Sequence, residues 1–170
     1  MRGRRVSDKL SSSRDLFFHL LAEMLWVERM LVFEVLPNLL KQVQSESLAA
    51  AVEEHLAQTH GHVTRVEEAF RALGAEPVSA RSAPAAALAA EHEEMAGKIA
   101  EPRLADLFHA AAAIHTEHLE LAGYETLVEL ARALDRDDLV RALVHNREEE
   151  AQALERLREL ADRLRGELSV

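Results

Sequence analysis

The sequence predicts an all-α fold, a four-helix bundle in which one long connection crosses over and carries a short extra helix. Ala, Leu, Glu and Arg dominate the 170 residues, and these residues lose little side-chain freedom in a helix. Apolar residues recur at helical spacing in four long segments. Two short connections pair these segments and one long connection joins the pairs, which is typical of a bundle with a crossover.

The first two segments form the first predicted helix pair. Ser11, Ser12 and Ser13 offer N-caps for the first helix, and Asp15 suits its first turn. The apolar stripe of this helix comprises Phe17, Leu20, Leu21, Met24, Val27, Leu31, Val35 and Leu36. After a break around residues 44–47, the second stripe comprises Leu48, Val52, Leu56, Thr59, Val63, Val66 and Phe70. Gly74 then gives a typical C-terminal stop.

The remaining segments supply the crossover and the second helix pair. A stretch over residues 75–84 leads into a shorter Ala-rich helix at about residues 85–99, and Pro102 suits the first turn of the third helix. The third stripe comprises Leu104, Leu107, Ala111, Ile114, His118, Leu121, Tyr124 and Val128. Residues 135–137 make the last tight connection. The fourth stripe comprises Leu139, Leu143, Asn146, Glu150, Ala153, Leu157 and Leu160.

Composition and charge exclude several classes of function. The formal net charge is −10, and an acidic surface repels phosphate backbones, so nucleic acid is not an expected partner. The sequence has no Cys, which removes disulfides, thiolate metal sites and cysteine nucleophiles. No apolar run approaches the roughly 20 residues of a membrane span, and no signal-peptide core follows the basic start. We expect a cytoplasmic protein with a flexible tail over residues 1–12 and one helical domain over residues 13–166.

Polar side chains that fall on or beside the apolar stripes are the candidate functional residues. They are Glu28 on the first helix, His55 and His62 on the second, Glu117 and Glu120 on the third, and Glu149 and Glu150 on the fourth. All lie near the middle of their helices, so antiparallel packing can bring them to one level of the bundle. A buried carboxylate without a partner costs several kcal/mol, so it requires a cation, a proton or a metal.

This combination of residue types predicts part of a dimetal site. Divalent iron and manganese prefer carboxylate oxygens with a few imidazoles. A bundle site takes one Glu from each of two helices and an E-x-x-H pair from each of the other two. Glu28 and Glu117 can supply the lone carboxylates, but Val52 and Thr59 stand three residues before the two histidines, where the motif needs Glu. We expect two Fe or Mn ions, no organic cofactor, and dioxygen or peroxide as the small-molecule substrate.

Several segments resemble the YciE/YciF-type ferritin-like family. These segments are residues 15–17, 22–28 and 36–37 on the first helix, 55–59 and 65–67 on the second, 117–127 on the third, and Glu149, Glu150 and Leu157 on the fourth. The third-helix segment, Glu117 to Leu127, is the closest match. The resemblance runs in order from about Ser13 to Leu160.

The resemblance implies a ferritin-like fold, frequent dimers, dimetal binding and an association with bacterial stress responses. Carried over by position, the implied ligands are Glu28, His55, Gln58, Glu117, Glu120, Glu149 and Glu150. Two positions depart from the family: Gln58 stands where many members have Glu, and Leu154 where many have Asp. A neutral amide and an alkyl group are poor replacements for anionic ligands. His62, where some members have Gln, is expected to compensate in part.

Three functions remain open from the sequence. The first is a dimetal redox or metal-handling protein, the second a metal-free helical interaction protein that kept the fold, and the third an Fe or Mn store. Without metal, the carboxylates are expected to pair with His55, His62, His118 or a nearby Arg. We also expect a homodimer, because the first helix carries apolar residues off its main stripe. These residues are Phe18, Leu25, Trp26 and Phe33.

Overall fold

The computed structural model describes residues 9–168, and the regular structure of these residues is entirely helical. The first helix is Ser13–Met30, and it continues through a π-helical segment, Leu31–Val35, into a last turn, Leu36–Leu39. The second helix is Glu46–Ala72, the crossover helix is Ala83–Ala96, the third helix is Pro102–Ala133 and the fourth is Asp137–Leu168. This order confirms the predicted bundle of four long helices with a short helix in its crossover.

The predicted boundary between tail and domain stays a prediction, because residues 1–8 of the tail lie outside the described residues. Cytoplasmic localisation also stays a prediction. Among residues 9–168, no helix is both long enough and apolar enough to cross a membrane.

Local capping explains where the helices begin. Ser12 caps the first helix by accepting a hydrogen bond from the backbone N–H of Asp15 at 3.1 Å. Ser45 caps the second helix in the same way. The buried carboxylate of Asp106 accepts the backbone N–H groups of Gln44 and Ser45 at 2.9 and 2.7 Å. Because Asp106 belongs to the third helix, this contact fixes the start of the second helix against it.

The buried face of the third helix differs from the predicted stripe. Leu104 is 45% exposed and His118 lies at the surface, where it contacts Arg158. The helix instead buries His109, Glu117 and Glu120. Tyr124 and Val128 of the predicted stripe are buried, so the prediction is wrong at Leu104 and His118, which it placed in the core.

The dimer surface predicted on the first helix is largely buried within the chain. Phe18 packs edge-to-face on Phe70 with ring centroids 5.1 Å apart, and Leu25 is fully buried. Trp26 is half-buried, whereas Phe33 is 71% exposed. The π-helical segment explains part of this difference, because its wider turn shifts the helix face away from the regular 100° spacing.

We propose that Phe33 contributes to a homodimer interface. Phe33→Glu is expected to shift the protein from dimer to monomer at micromolar concentration, because the substitution places a charge in an apolar contact. Sedimentation velocity measures this change. Leu104→Glu is the matched control, since Leu104 is also an exposed apolar residue. A parent protein that sediments as a monomer would contradict the proposal.

Candidate metal centre

Six of the predicted site residues meet in the middle of the bundle, and all six are buried. They are Glu28, His55, His62, Glu117, Glu120 and Glu150, with exposed fractions between 0% and 7%. Each of the four long helices contributes at least one of these side chains. The core therefore contains four carboxylates and two imidazoles where the rest of the bundle interior is mostly apolar.

The six side chains form two groups that share one carboxylate. The first group is His55, Glu117, Glu120 and Glu150, and the second is Glu28, His62 and Glu150. Within each group, one potential ligand atom from every residue lies within 4.8 Å of the others. Each group could hold one metal ion, and two adjacent ions would share Glu150.

Glu150 is placed as a bridge because its two oxygens face different imidazoles. Its Oε1 lies 2.8 Å from Nδ1 of His62, and its Oε2 lies 3.8 Å from Nε2 of His55. His55 Nε2 also lies 3.3 Å from Oε1 of Glu117. A carboxylate in this position can bind one ion through each oxygen.

Glu28 is held by a hydrogen-bond chain that crosses three helices. The hydroxyl of Tyr124 donates to Oε1 of Glu28, and Nδ2 of Asn146 donates to the Tyr124 hydroxyl at 2.8 Å. The other oxygen of Glu28 lies 3.4 Å from Nδ1 of His62. These hydrogen bonds hold Oε1 of Glu28 and leave its Oε2 directed toward His62.

Glu149 lies behind His62 rather than in either group. Its Oε2 is 3.2 Å from Nε2 of His62, the ring nitrogen that faces away from Glu28 and Glu150. Arg65 donates to both Glu149 and Asn146. A carboxylate on the outer nitrogen orients an imidazole and raises its basicity as a ligand. The sequence left Glu149 and Glu150 as alternatives, and the structure gives them different positions.

The residues implied by the resemblance, or noted as departures from it, lie close to the groups. Gln58 is half-buried and lines a cavity together with His55 and Glu117, but it belongs to neither group. Leu154 is buried one helical turn after Glu150. Tyr124 and Asn146 take part through hydrogen bonds but were predicted only as members of the buried stripes. Arg65 also takes part, and it was not predicted as a site residue. Its position three residues after His62 was the available signal, since residues three apart share a helix face.

The cluster contains many buried polar atoms without a hydrogen bond among the described residues. They are both oxygens of Glu120 and of Glu150, one oxygen each of Glu28 and Glu117, and Nδ1 of His55 and of His62. Several of these atoms lie within ion-pair distance of one another but lack hydrogen-bond geometry. An unsatisfied buried polar group costs about 1–3 kcal/mol, and more when it is charged. Atoms arranged in this way could hold a metal ion.

The charges in the cluster support the same conclusion. Burial, followed by the charge of Glu150, raises the pKa of Glu117 and Glu120 well above the usual value, and burial also raises that of Glu28. Burial opposes protonation of His62, but its contacts with Glu150 and Glu28 outweigh this effect and raise its pKa to about 10. Negative charge on these buried carboxylates is therefore unfavourable unless a cation offsets it.

Several known proteins are similar to this chain in sequence and in fold. A family described as "Domain of unknown function (DUF892)" matches residues 12–167. Protein YciF of Escherichia coli (strain K12) is 28% identical over 153 residues, which cover 89% of this chain and 92% of that protein. The structure of YcfI from Rhodopseudomonas palustris is 31% identical with a TM-score of 0.87, covering 89% of this chain and 96% of that chain. The structure of the E. coli stress protein YciF is 26% identical with a TM-score of 0.87, covering 92% and 99%.

Proposed function

We propose that this chain, which belongs to the DUF892 family of YciF-like ferritin-like proteins, binds two iron or manganese ions in its buried carboxylate–histidine cluster. Its relative in E. coli is described as a stress protein, and we propose that this chain also acts in a stress response. Iron or manganese held here would supply electrons for the reduction of dioxygen or peroxide. The potential ligand atoms of each group lie close enough to one another to hold a metal ion.

The observation that carries the proposal is the position of Glu120. Its carboxylate is fully buried, and neither oxygen has a hydrogen-bond partner among the described residues. A structural carboxylate in such a place is normally paired with a cation or with hydrogen-bond donors. Glu120 lies instead with Glu117, Glu150 and His55, in a group whose ligand atoms converge. A metal ion satisfies all of these atoms at once.

Each residue then has a definite part in binding. His55, Glu117 and Glu120 would hold one ion, Glu28 and His62 would hold the other, and Glu150 would bridge the two. Tyr124 and Asn146 orient Glu28, whereas Arg65 and Glu149 orient His62 from outside, as indicated by the hydrogen bonds described above. The six side chains are buried, and burial strengthens the interaction between carboxylates and cations.

Metal content tests the proposal directly. Protein purified without chelators after metal-replete growth is expected to contain about two ions of iron or manganese per chain, as the shared-carboxylate arrangement implies. Glu28→Ala and Glu117→Ala should each remove at least one ion. Glu125→Ala is the matched control, because Glu125 is exposed on the third helix. Elemental analysis by mass spectrometry measures iron, manganese and zinc in all four proteins.

Two results would contradict the proposal in different ways. Stoichiometric metal that survives both substitutions would show that the site lies elsewhere. A metal-free parent would instead favour the alternative, a helical interaction protein that kept the fold. One observation supports that alternative: Nδ1 of His62 lies 3.4 Å from Glu28 and 2.8 Å from Glu150, and contacts with these two carboxylates raise the pKa of His62 to about 10.

A further inference from the structure

An apolar cavity beneath the crossover helix reaches the candidate metal centre. The cavity has a volume of about 40 Å³, and its walls come from the end of the first helix, the crossover helix and the third helix. His55 and Glu117 form its inner end. Most of the remaining wall is alkyl, including Leu31, Leu88 and Ala112. Holding one water requires about 10–15 Å³ of such space, so the cavity accommodates only very small molecules.

A larger surface cleft adjoins this cavity. The cleft has a volume of about 360 Å³ and lies between the end of the first helix and the crossover helix. Five residues line both spaces, so the two are adjacent across a thin wall. These residues are Met30, Val35, Leu39, Ala89 and His92. The cleft and cavity together extend from the protein surface to Glu117.

His92 stands at the boundary between the cleft and the cavity. Its Nε2 lies 2.8 Å from Nδ1 of His109 on the third helix, and Phe108 stacks on its ring with centroids 5.6 Å apart. This hydrogen bond joins the crossover helix to the third helix.

We propose that this cleft and cavity form the access route of dioxygen to the metal centre, passing beside His92. The proposal rests on the proposed function, because it assigns a substrate to that same site. The alkyl lining favours an uncharged, apolar diatomic molecule over hydrogen peroxide or a hydrated ion, since polar molecules lose their hydrogen bonds with water on entering such a space.

A second cavity provides an internal comparison. It also reaches His55 and Glu117, and its volume is about 30 Å³. Its wall includes the polar side chains of Gln58, Gln152 and Arg156. Blocking this second cavity should not impede an apolar gas that uses the first one.

Xenon binding to the metal-free protein tests the route without relying on activity. Xenon, an apolar probe of similar size to dioxygen, is expected in the first cavity of crystals pressurised with the gas. Ala112→Leu should abolish this binding, because the larger side chain fills the cavity. Ala89→Leu is a second blocking variant on the crossover helix, and it keeps the test decisive if Ala112→Leu fails to fold. Ala51→Leu is the matched control, since Ala51 lines only the second of these two cavities.

The metal-loaded protein provides the second measurement. With unchanged metal content, Ala112→Leu or Ala89→Leu should slow the oxidation of bound Fe(II) by dioxygen about tenfold, which corresponds to about 1.4 kcal/mol of added barrier. Ala51→Leu should leave this rate unchanged. No xenon in the parent's first cavity, or equal rates in the blocking variants and Ala51→Leu, would overturn the route while metal binding stands. A parent that binds xenon but no metal would overturn the proposed function, and the route to a metal with it.

Discussion

Glu150→Gln is expected to abolish binding of both metal ions, a larger loss than any other single substitution of a ligand. Glu150 is the residue that belongs to both groups of converging atoms, and its two oxygens face His62 and His55 separately. Gln keeps the shape of the side chain but has one neutral oxygen, so it cannot bridge two cations. Elemental analysis of the purified variant measures the loss.

The loss of metal by Glu150→Gln should also be visible in thermal unfolding, because bound metal raises the melting temperature. A ligand at 100 times its dissociation constant stabilises a protein by about 2.7 kcal/mol per site. For a chain of this size, each kcal/mol raises the melting temperature by roughly 2–4 °C. Two occupied sites should therefore raise the melting temperature of the parent by roughly 10–20 °C. Glu150→Gln should show no rise on addition of metal.

Two variants control for this prediction. Glu120→Gln also replaces a buried carboxylate, but Glu120 belongs to one group, so it should lose one ion and keep the other. Glu148→Gln changes an exposed neighbour and should retain both. If Glu150→Gln loses no more metal than Glu120→Gln, then Glu150 does not bridge the two sites.

The metal-free protein is expected to lose stability as the pH rises from 6.5 toward 10. Contacts with Glu150 and Glu28 raise the pKa of His62 from 6.5 to about 10 against the opposing effect of burial. Between these values the folded state binds more protons than the unfolded state, so stability falls with rising pH. The raised pKa values of Glu117 and Glu120 also make stability fall with rising pH, over a range that begins at their usual value of 4.5. One pKa unit is worth about 1.4 kcal/mol, so the loss is on the order of several kcal/mol.

The effect of pH on metal binding should have the opposite sign. Protons compete with metal for these ligands, so binding releases protons and metal affinity rises with pH. Urea unfolding of the metal-free and metal-loaded proteins across this pH range measures both trends, and proton release can be followed with an indicator in weak buffer. Metal-free stability that stays constant or rises between pH 6.5 and 10 would show that His62 is not protonated as described.

Local features of the sequence were sufficient to predict the helices. Ser12, Ser45 and Gly74 mark helix ends through their own backbone chemistry, and Pro102 suits a first turn whatever surrounds it. These signals act within a few residues, so they do not depend on the tertiary structure. The bundle that they predict is confirmed. The π-helical segment Leu31–Val35 was not predicted, and neither were the positions of the residues around it.

The sequence predicted the candidate site from polar residues that lie on or beside the apolar stripes. Glu28, His55 and His62 stood out for this reason, and the structure brings them together with Glu117, Glu120 and Glu150. Their role as metal ligands stays a prediction. The stripe on the fourth helix already included Glu150 and not Glu149, since adjacent residues on a helix point about 100° apart. That Glu149 contacts the outer nitrogen of His62 could not be predicted, because this contact depends on how the second and fourth helices pack.

The sequence by itself thus determined the number of helices, their ends and the residue types at mid-bundle, since each depends on short-range propensity and periodicity. The tertiary structure decided which of those side chains meet. It placed Glu150 between two histidines, put Arg65 and Glu149 behind His62, and buried Phe18 and Leu25 inside the chain. These outcomes depend on the rotation and axial offset of each helix against its neighbours. Small changes in either quantity exchange one side chain for another at the centre, and no single helix contains that information.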